Sequence, residues 1–390
     1  MVMGLVLGTE GYGVRRSWLQ LFRGLRNQGV LARALLLRRG DMGAALEADG
    51  TDVDYLPMAP VPAVAGGGVG KFLALVRRAM VQIRALRPLL TMIGSRGPKA
   101  ILLQSPMEVL LAGCAAKLSG RKAYWMMPNA ISSGYPLNLN RRFYRFIFRH
   151  MDVVPVANSH FTDTTIGPGS FERHVCHLGI DPAEFDPSVP GNIGRSALDI
   201  PEGAIVLGVF ARMVAEKGQR RLAEALADLG SEAERIHLLL CGGPLDNDYA
   251  VGVKAFLETN GLAGRVHLTG PISDVTSYYK LCDVVVNSRL DPEPFGLSVI
   301  EGMMLGKPVL AHKAGGPGET VVDGKTGWHI DGPEKAEFVR ALRRMLADVP
   351  RFGEIGAAAR AHALANFTND QMASRIVKII AGEVRHEHPR

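Results

Sequence analysis

Residues Asn287–Ile330 read NSRLDPEPFGLSVIEGMMLGKPVLAHKAGGPGETVVDGKTGWHI, and the order of element types along this stretch decides the fold. The apolar run Asp283–Asn287 is a strand, the turn after it carries Pro292 and Pro294, a helical segment starts near Gly296 and stops at Gly306, and Pro308–His312 is the next strand. Strand, loop, helix and strand with no polar alternation form the unit of a parallel sheet covered on both faces. Glu293 stands between two prolines, so it is excluded from a helix and lies in the loop at the strand's carboxyl end. Glu301 falls on the second turn of the helix. The amides of Gly296, Leu297 and Ser298 are the helix's open N-terminal donors, an anion site. Two carboxylates thus flank a phosphate-binding turn.

The same alternation extends in both directions. Upstream strands are expected at Met3–Gly8, Arg33–Leu37, Ala100–Gln104, Ala123–Met127 and Val153–Ala157, and then at Ala204–Phe210, His237–Cys241 and Val266–Leu268. The helix after the first strand presents Trp18, Leu21, Phe22 and Leu25 on one face and stops at Gly29. Between the two series, Gly179 to Gly203 is rich in proline and without periodicity, which puts a domain boundary near residue 190. The expectation is an α/β protein of two doubly wound Rossmann-like domains, 1–189 and 190–368, facing across a cleft, with a C-terminal helix and tail over 369–390 that pack back on the first domain. Such folds bind ligands at the carboxyl ends of their strands.

The chain is 390 residues long, with 47% hydrophobic and 21% charged residues, which excludes a small disulfide scaffold and wholesale disorder. Its net charge of +7 is lopsided: 22 Lys and Arg face 13 Asp and Glu up to Ser188, against 23 and 25 beyond it. The basic surplus therefore belongs to the first domain. Cys114, Cys176, Cys241 and Cys282 are widely spaced in apolar surroundings and read as reduced thiols of a cytoplasmic protein. MVMGLVLGTEGYG lacks a basic leader and reads as a first core strand, and no apolar stretch is long enough for a membrane span.

Further chemistry gathers at the same sheet edge. After the strand AIVLGVF, the segment ARMVAEKGQRR places Arg212 and Lys217 around a turn, two cations able to neutralise a diphosphate. A neighbouring strand ends in CGGP, Cys241 to Pro244, where glycines allow close approach of a flat ligand.

Glu293 and Glu301 within EPFGLSVIE, followed by GKPVLA, GGPGETV and DGKTGW, resemble the signature of the retaining glycosyltransferases of family 4, which have the GT-B fold. AR-x4-KG, CGG, VHLTGPI, VANSHFT and LGIDPAEF match as well, so that the resemblance is specific over about residues 150 to 330. It implies a metal-independent hexosyltransferase without cofactor that uses a nucleotide diphosphate sugar. In that resemblance Arg212 and Lys217 bind the diphosphate, Glu293 positions the donor sugar and Glu301 the ribose. The amides after Phe295, those of Gly296, Leu297 and Ser298, hold the β-phosphate, and the backbone at Gly242 and Ile272 holds the base. Reaction on one face of the sugar, with the leaving phosphate taking the acceptor's proton, makes Glu293 a positioning group. The glycine loop GTEGYG, with Gly11 and Gly13, approaches the phosphates or the acceptor; its spacing is not that of a nicotinamide site.

One departure concerns the first domain, where many relatives place a His near the reacting sugar. Here YWMMPNAISSGY offers Asn129, Ser132 or Ser133. His160, His174 and His177 read as structural, and Asp52-Val-Asp54 and Asp246-Asn-Asp248 as exposed turns rather than metal motifs. In RRFYRFIFRH, four arginines share about one third of the helix circumference at 100° per residue, a face able to lie on anionic lipid at the inner face of the cytoplasmic membrane; Lys71 to Arg87 is similarly basic. The expected acceptor is a lipid-linked, polysaccharide-precursor or other glycan, with no nucleic acid as partner. Open alternatives are a small-molecule acceptor, a non-catalytic nucleotide-sugar binder, and a glycoside hydrolase using Glu293 and Glu301 as its carboxylate pair.

Overall fold

The computed structural model describes residues 1–56, 69–132 and 136–384. The chain forms two compact units, Met1–Gly179 with Asn369–Arg390, and Ile180–Thr368. The first crossing precedes the expected boundary near residue 190. Ile180 belongs to the second unit because its amide donates to Phe367 O at 3.0 Å, and Phe185 is buried there against Tyr279.

The first unit is built on seven strands: β1 Val2–Val6, β2 Ala32–Leu36, β3 Asp52–Tyr55, β4 Ala100–Leu103, β5 Lys122–Met127, β6 Val153–Ala157 and β7 His174–Val175. They pair in parallel in the order β3-β2-β1-β4-β5-β6-β7. Alternate residues enter two separate cores. Met3, Leu5, Ile101 and Leu103 face one, and Val2, Val6, Leu102 and Tyr124 the other, as a sheet covered on both sides requires. The helix Tyr12–Asn27 buries Trp18, Leu21, Phe22 and Leu25 in the second core, which it shares with Met372, Ala373, Ile376 and Ile379 of the helix Asn369–Ala381. Gly24 makes that close crossing possible, since a Cβ there would lie 2.4 Å from Asn369 O.

The second unit has six parallel strands, β8 Ile205–Phe210, β9 Ile236–Cys241, β10 Val266–Gly270, β11 Val284–Asn287, β12 Val309–His312 and β13 Gly327–Ile330, in the order β10-β9-β8-β11-β12-β13. The strand order reverses between β8 and β11. Ligands of doubly wound sheets bind at the carboxyl ends beside such a reversal.

Strands β3, β7 and β13 lie outside the sequence expectation, and all three are sheet edges. Asp52 and Asp54 are on β3 rather than in a turn: Arg33 pairs with both at 2.9 and 3.1 Å, and Arg96 with Asp54 at 2.9 Å. Asp248 opens the helix Asp248–Thr259, whose N-cap is Asn247. Cys176, Cys241 and Cys282 are buried free thiols and Cys114 is half-buried. No described helix is long and apolar enough to cross a membrane.

Candidate functional site

The carboxyl ends of β8 and β11 enclose a depression lined by Phe210, Lys217, Asn287, Ser288, Arg289 and Ser298. Lys217 reaches it from a turn tied to the loop after β11, with Ser288 Oγ donating to Lys217 O at 2.8 Å and the Leu290 amide to Glu216 O at 2.9 Å. Its Nζ lies 2.9 Å from Glu293 Oε2, and both side chains are largely withdrawn from solvent. Arg289 approaches the other oxygen, Glu293 Oε1, at 3.3 Å. It also grips Asp291 through two bonds, Nε to Oδ1 at 2.7 Å and Nη2 to Oδ2 at 2.8 Å. The guanidinium bonds hold the Asp291 carboxyl below the usual carboxylate range. Two cations and two carboxylates thus form one alternating network beside the strand reversal.

The position of Glu293 is fixed through its backbone. Its amide donates to Ala314 O at 3.2 Å, and its carbonyl accepts from the Gly316 amide at 2.8 Å. These bonds require the glycine pair. A Cβ at Gly315, whose φ is +89°, would lie 2.1 Å from Glu293 O, and one at Gly316 would lie 2.4 Å from Phe295 Cα. Phe295 itself is buried with its ring edge-on to Phe367. The helix Leu297–Met304 follows, and the amides of Gly296, Leu297 and Ser298 have no hydrogen-bond partner among the described residues, whereas that of Val299 is taken by Gly296 O at 3.0 Å. These donors stand at the helix start, where an anion site forms.

Other anticipated residues stand differently. Glu301 is 2% exposed and accepts a bond of 2.7 Å from the Tyr279 hydroxyl, whose ring stacks on Phe210. Neither Glu301 nor Glu293 lines the depression, and the two have different partners, Tyr279 for Glu301 and Lys217 with Arg289 for Glu293, unlike a hydrolytic carboxylate pair sharing one cleft. Arg212 is 71% exposed, with Glu216 3.9 Å away. Gly242 has φ +139° and its missing Cβ would lie 2.1 Å from Ala211 O, so close packing of its own chain, rather than a flat ligand, requires glycine there. Ile272, like Phe210, packs at the rim of a small core that contains Cys241 and Cys282.

In the first unit, Gly11 precedes the helix Tyr12–Asn27 and Gly13 lies in its first turn, both exposed. The loop between β1 and this helix is braced by Glu10, whose carboxylate accepts from the amides of Leu7 at 2.6 Å and Gly8 at 2.9 Å. Asn129 and Ser132 are exposed beyond β5, and Ser133 lies outside the described residues. His174 is buried with Nε2 at 3.3 Å from Glu172, and the rings of His160 and His177 meet edge-on. Arg289, Asp291 and Tyr279 were not among the anticipated site residues. The first two could have been found from their spacing, since Arg289 precedes Asp291 by two positions and Glu293 by four.

Two doubly wound units, one carrying paired cations and open helix amides at its strand reversal, define an α/β protein built to hold an anionic nucleotide. Residues 193–362 match the family model described as Glycosyl transferases group 1. Over its second unit the chain is similar to this family of glycosyltransferases, and its two parallel sheets match the GT-B fold. It is 26% identical over 302 residues to the GDP-mannose-dependent alpha-(1-6)-phosphatidylinositol monomannoside mannosyltransferase of Mycolicibacterium smegmatis, covering 74% of this chain and 75% of that protein. It is 33% identical over 204 residues to the D-inositol 3-phosphate glycosyltransferase of Corynebacterium diphtheriae, 50% of this chain and only about half (47%) of that protein's length. Among solved structures, Anabaena HepE in complex with UDP and glucose matches with a TM-score of 0.78 at 23% identity, covering 97% of this chain and 99% of that one.

Proposed function

We propose that the protein moves a hexosyl group from a nucleoside diphosphate sugar to a hydroxyl of a lipid-linked, polysaccharide-precursor or other glycan acceptor, with retention at the anomeric carbon. The observation that carries this reading is the site after β11, where Lys217, Glu293 and the open amides of Gly296, Leu297 and Ser298 converge. Breakage of the bond between the anomeric carbon and the phosphate oxygen leaves negative charge on the diphosphate. Fixed cations and amide dipoles stabilise that charge where it forms. Lys217, the exposed Arg212 and the helix amides serve the diphosphate, and Glu293 accepts hydroxyls of the donor sugar. The leaving phosphate oxygen takes the acceptor's proton. Glu301 serves the ribose through a carboxylate that Tyr279 orients, and the backbone at Gly242 and Ile272 serves the base. The first unit receives the acceptor, with Gly11, Gly13 and Asn129 at its strand ends.

The test is a panel of GDP-mannose and UDP-glucose with glycan and lipid-linked acceptors, following release of the nucleoside diphosphate. Acceptor-dependent release is expected with one donor. That donor also raises thermal stability, by ~2.7 kcal/mol at a hundredfold excess over its Kd. No release and no thermal shift with any donor would sink the reading.

A peripheral position on the inner face of the cytoplasmic membrane is supported by the helix Leu139–His150. Leu139, Phe143 and Phe146 are 53%, 48% and 57% exposed, while Ile147 and Phe148 are buried. At 100° per residue the three exposed apolar side chains share an arc of about 60°, and Arg142, Arg145 and Arg149 occupy the adjoining arc. An apolar wedge beside a basic stripe fits an anionic bilayer surface. Co-sedimentation with phosphatidylglycerol vesicles is expected, falling at high salt and at least tenfold on the double change Phe143→Ser and Phe146→Ser. Equal binding of the double variant would refute the wedge.

A further inference from the structure

Arg289 has no part in the roles assigned above, although it lines the depression and touches Glu293. We propose that Arg289, clamped by Asp291, is the positioning residue that keeps the Glu293 carboxylate aimed at the donor sugar when Lys217 is drawn away to the diphosphate; this rests on the reading of Lys217 as a diphosphate cation.

The geometry gives the two cations unequal freedom. Lys217 is a point charge on a flexible stem, bonded to a single carboxylate oxygen, Glu293 Oε2. Arg289 is planar, and two of its three nitrogens are committed to Asp291, which leaves Nη1 directed at Glu293 Oε1. Burial opposes its charge, yet the bonds to Asp291 and the field of Glu293 hold its pKa above the ordinary arginine value. Arg289 therefore stays charged and fixed.

In the free protein the two cations and two carboxylates balance. An incoming diphosphate brings several negative charges and competes with Glu293 for the ammonium of Lys217. If Lys217 were the sole partner, the half-buried Glu293 would lose its counter-charge just as an anion arrives nearby, and it would turn away. With Arg289 in place, one counter-charge remains on Oε1, and Oε2, vacated by Lys217, is open to a sugar hydroxyl. Lys217 passes from carboxylate to phosphate, and Arg289 makes that transfer tolerable.

The test uses the full chain and compares Arg289→Met, Arg289→Lys, Asp291→Asn and Lys217→Met. It reads the Kd of GDP and UDP, the kcat and KM of nucleotide-sugar turnover, and thermal melting. For Arg289→Met, the Kd of the tighter nucleotide stays within about threefold and kcat falls ~10²-fold, as for loss of a preorganised electrostatic partner. Arg289→Lys restores part of kcat, and Asp291→Asn lowers it less than Arg289→Met, which keeps the proposal testable should the Met variant fail to fold. A folded Arg289→Met or Asp291→Asn protein with unaltered kcat overturns the clamp. Weakened GDP and UDP binding in Arg289→Met, in step with kcat, also overturns it. Lys217→Met tests the underlying reading separately: unaltered GDP and UDP affinity there overturns the role of Lys217 and the transfer with it, whereas weakened affinity there together with full kcat in Arg289→Met overturns the clamp alone.

Discussion

Glu293→Ala and Lys217→Ala are both expected to lower sugar transfer by ~10²–10³, while only Lys217→Ala weakens nucleoside diphosphate affinity. The prediction follows from the 2.9 Å ion pair that joins them. In the free protein the ammonium is bound to the carboxylate, so a diphosphate must displace Glu293 before it gains Lys217. Removal of Glu293 releases that competitor, and GDP or UDP binds equally well or more tightly to Glu293→Ala. Turnover nonetheless falls, because the donor sugar loses the group that fixes its hydroxyls. Removal of Lys217 takes away a cation that answers charge developing on the leaving diphosphate, so both nucleotide affinity and kcat fall. Calorimetric titration of GDP and UDP beside initial-rate kinetics separates the two variants. Transfer within tenfold of the parent in both would refute the assignment, and a matching loss of nucleotide affinity in both would refute the competition between carboxylate and phosphate.

How far this site was legible in the sequence can be judged residue by residue. Glu293 is placed by covalent chemistry, since two prolines exclude the helix and an apolar strand precedes it. The open amides at Gly296, Leu297 and Ser298 follow from where a helix begins. Both inferences depend on neighbours in the chain, and both meet the structure. The partners of Glu293 come from farther away. Lys217 is 76 positions distant and arrives only because β8 and β11 are adjacent in the sheet. Sequence motifs bring Lys217 to the right edge, but the ion pair itself is a product of tertiary placement. Arg289 illustrates the opposite case. Its two carboxylates are local, and its importance was hidden because charge in a loop ordinarily reads as solvated surface.

Other differences have equally specific causes. Asp52 and Asp54 read as a turn since acidic residues are rare in strands, yet an edge strand with Arg33 as its neighbour accommodates both. Gly242 is required by the approach of Ala211 O, a contact between two loops that no local pattern announces. Glu301 falls on the expected turn of the helix Leu297–Met304, but helical phase alone does not say that Tyr279 covers it. Periodicity identifies elements and faces. Side-chain partners across elements require the fold.

The glycine pair after β12 provides the second large effect. Gly315→Ala is expected to abolish most transfer and to lower the melting temperature of the second unit by roughly 5–15 °C, whereas Gly324→Ala is expected to lower it by only a few degrees and to leave transfer intact. Both glycines have left-handed φ, +89° and +73°, so each alanine costs ~1–2 kcal/mol in backbone strain. The difference lies in what the new methyl group meets. At Gly324 there is nothing within 4 Å, while at Gly315 the Cβ would stand 2.1 Å from Glu293 O, a backbone atom with no rotamer to escape into. Relief of that overlap requires the segment around Gly315 to part from the loop around Glu293. Parting breaks the bonds from Glu293 N to Ala314 O and from Gly316 N to Glu293 O, each worth ~0.5–1.5 kcal/mol net. Those same bonds hold Glu293 in reach of Lys217 and Arg289, so stability and catalysis fall together at Gly315 and separately at Gly324. Differential scanning calorimetry paired with donor turnover checks both variants. Equal melting shifts for the two, or full transfer by a folded Gly315→Ala protein, would show that the clamp on the Glu293 backbone is not what positions its carboxylate.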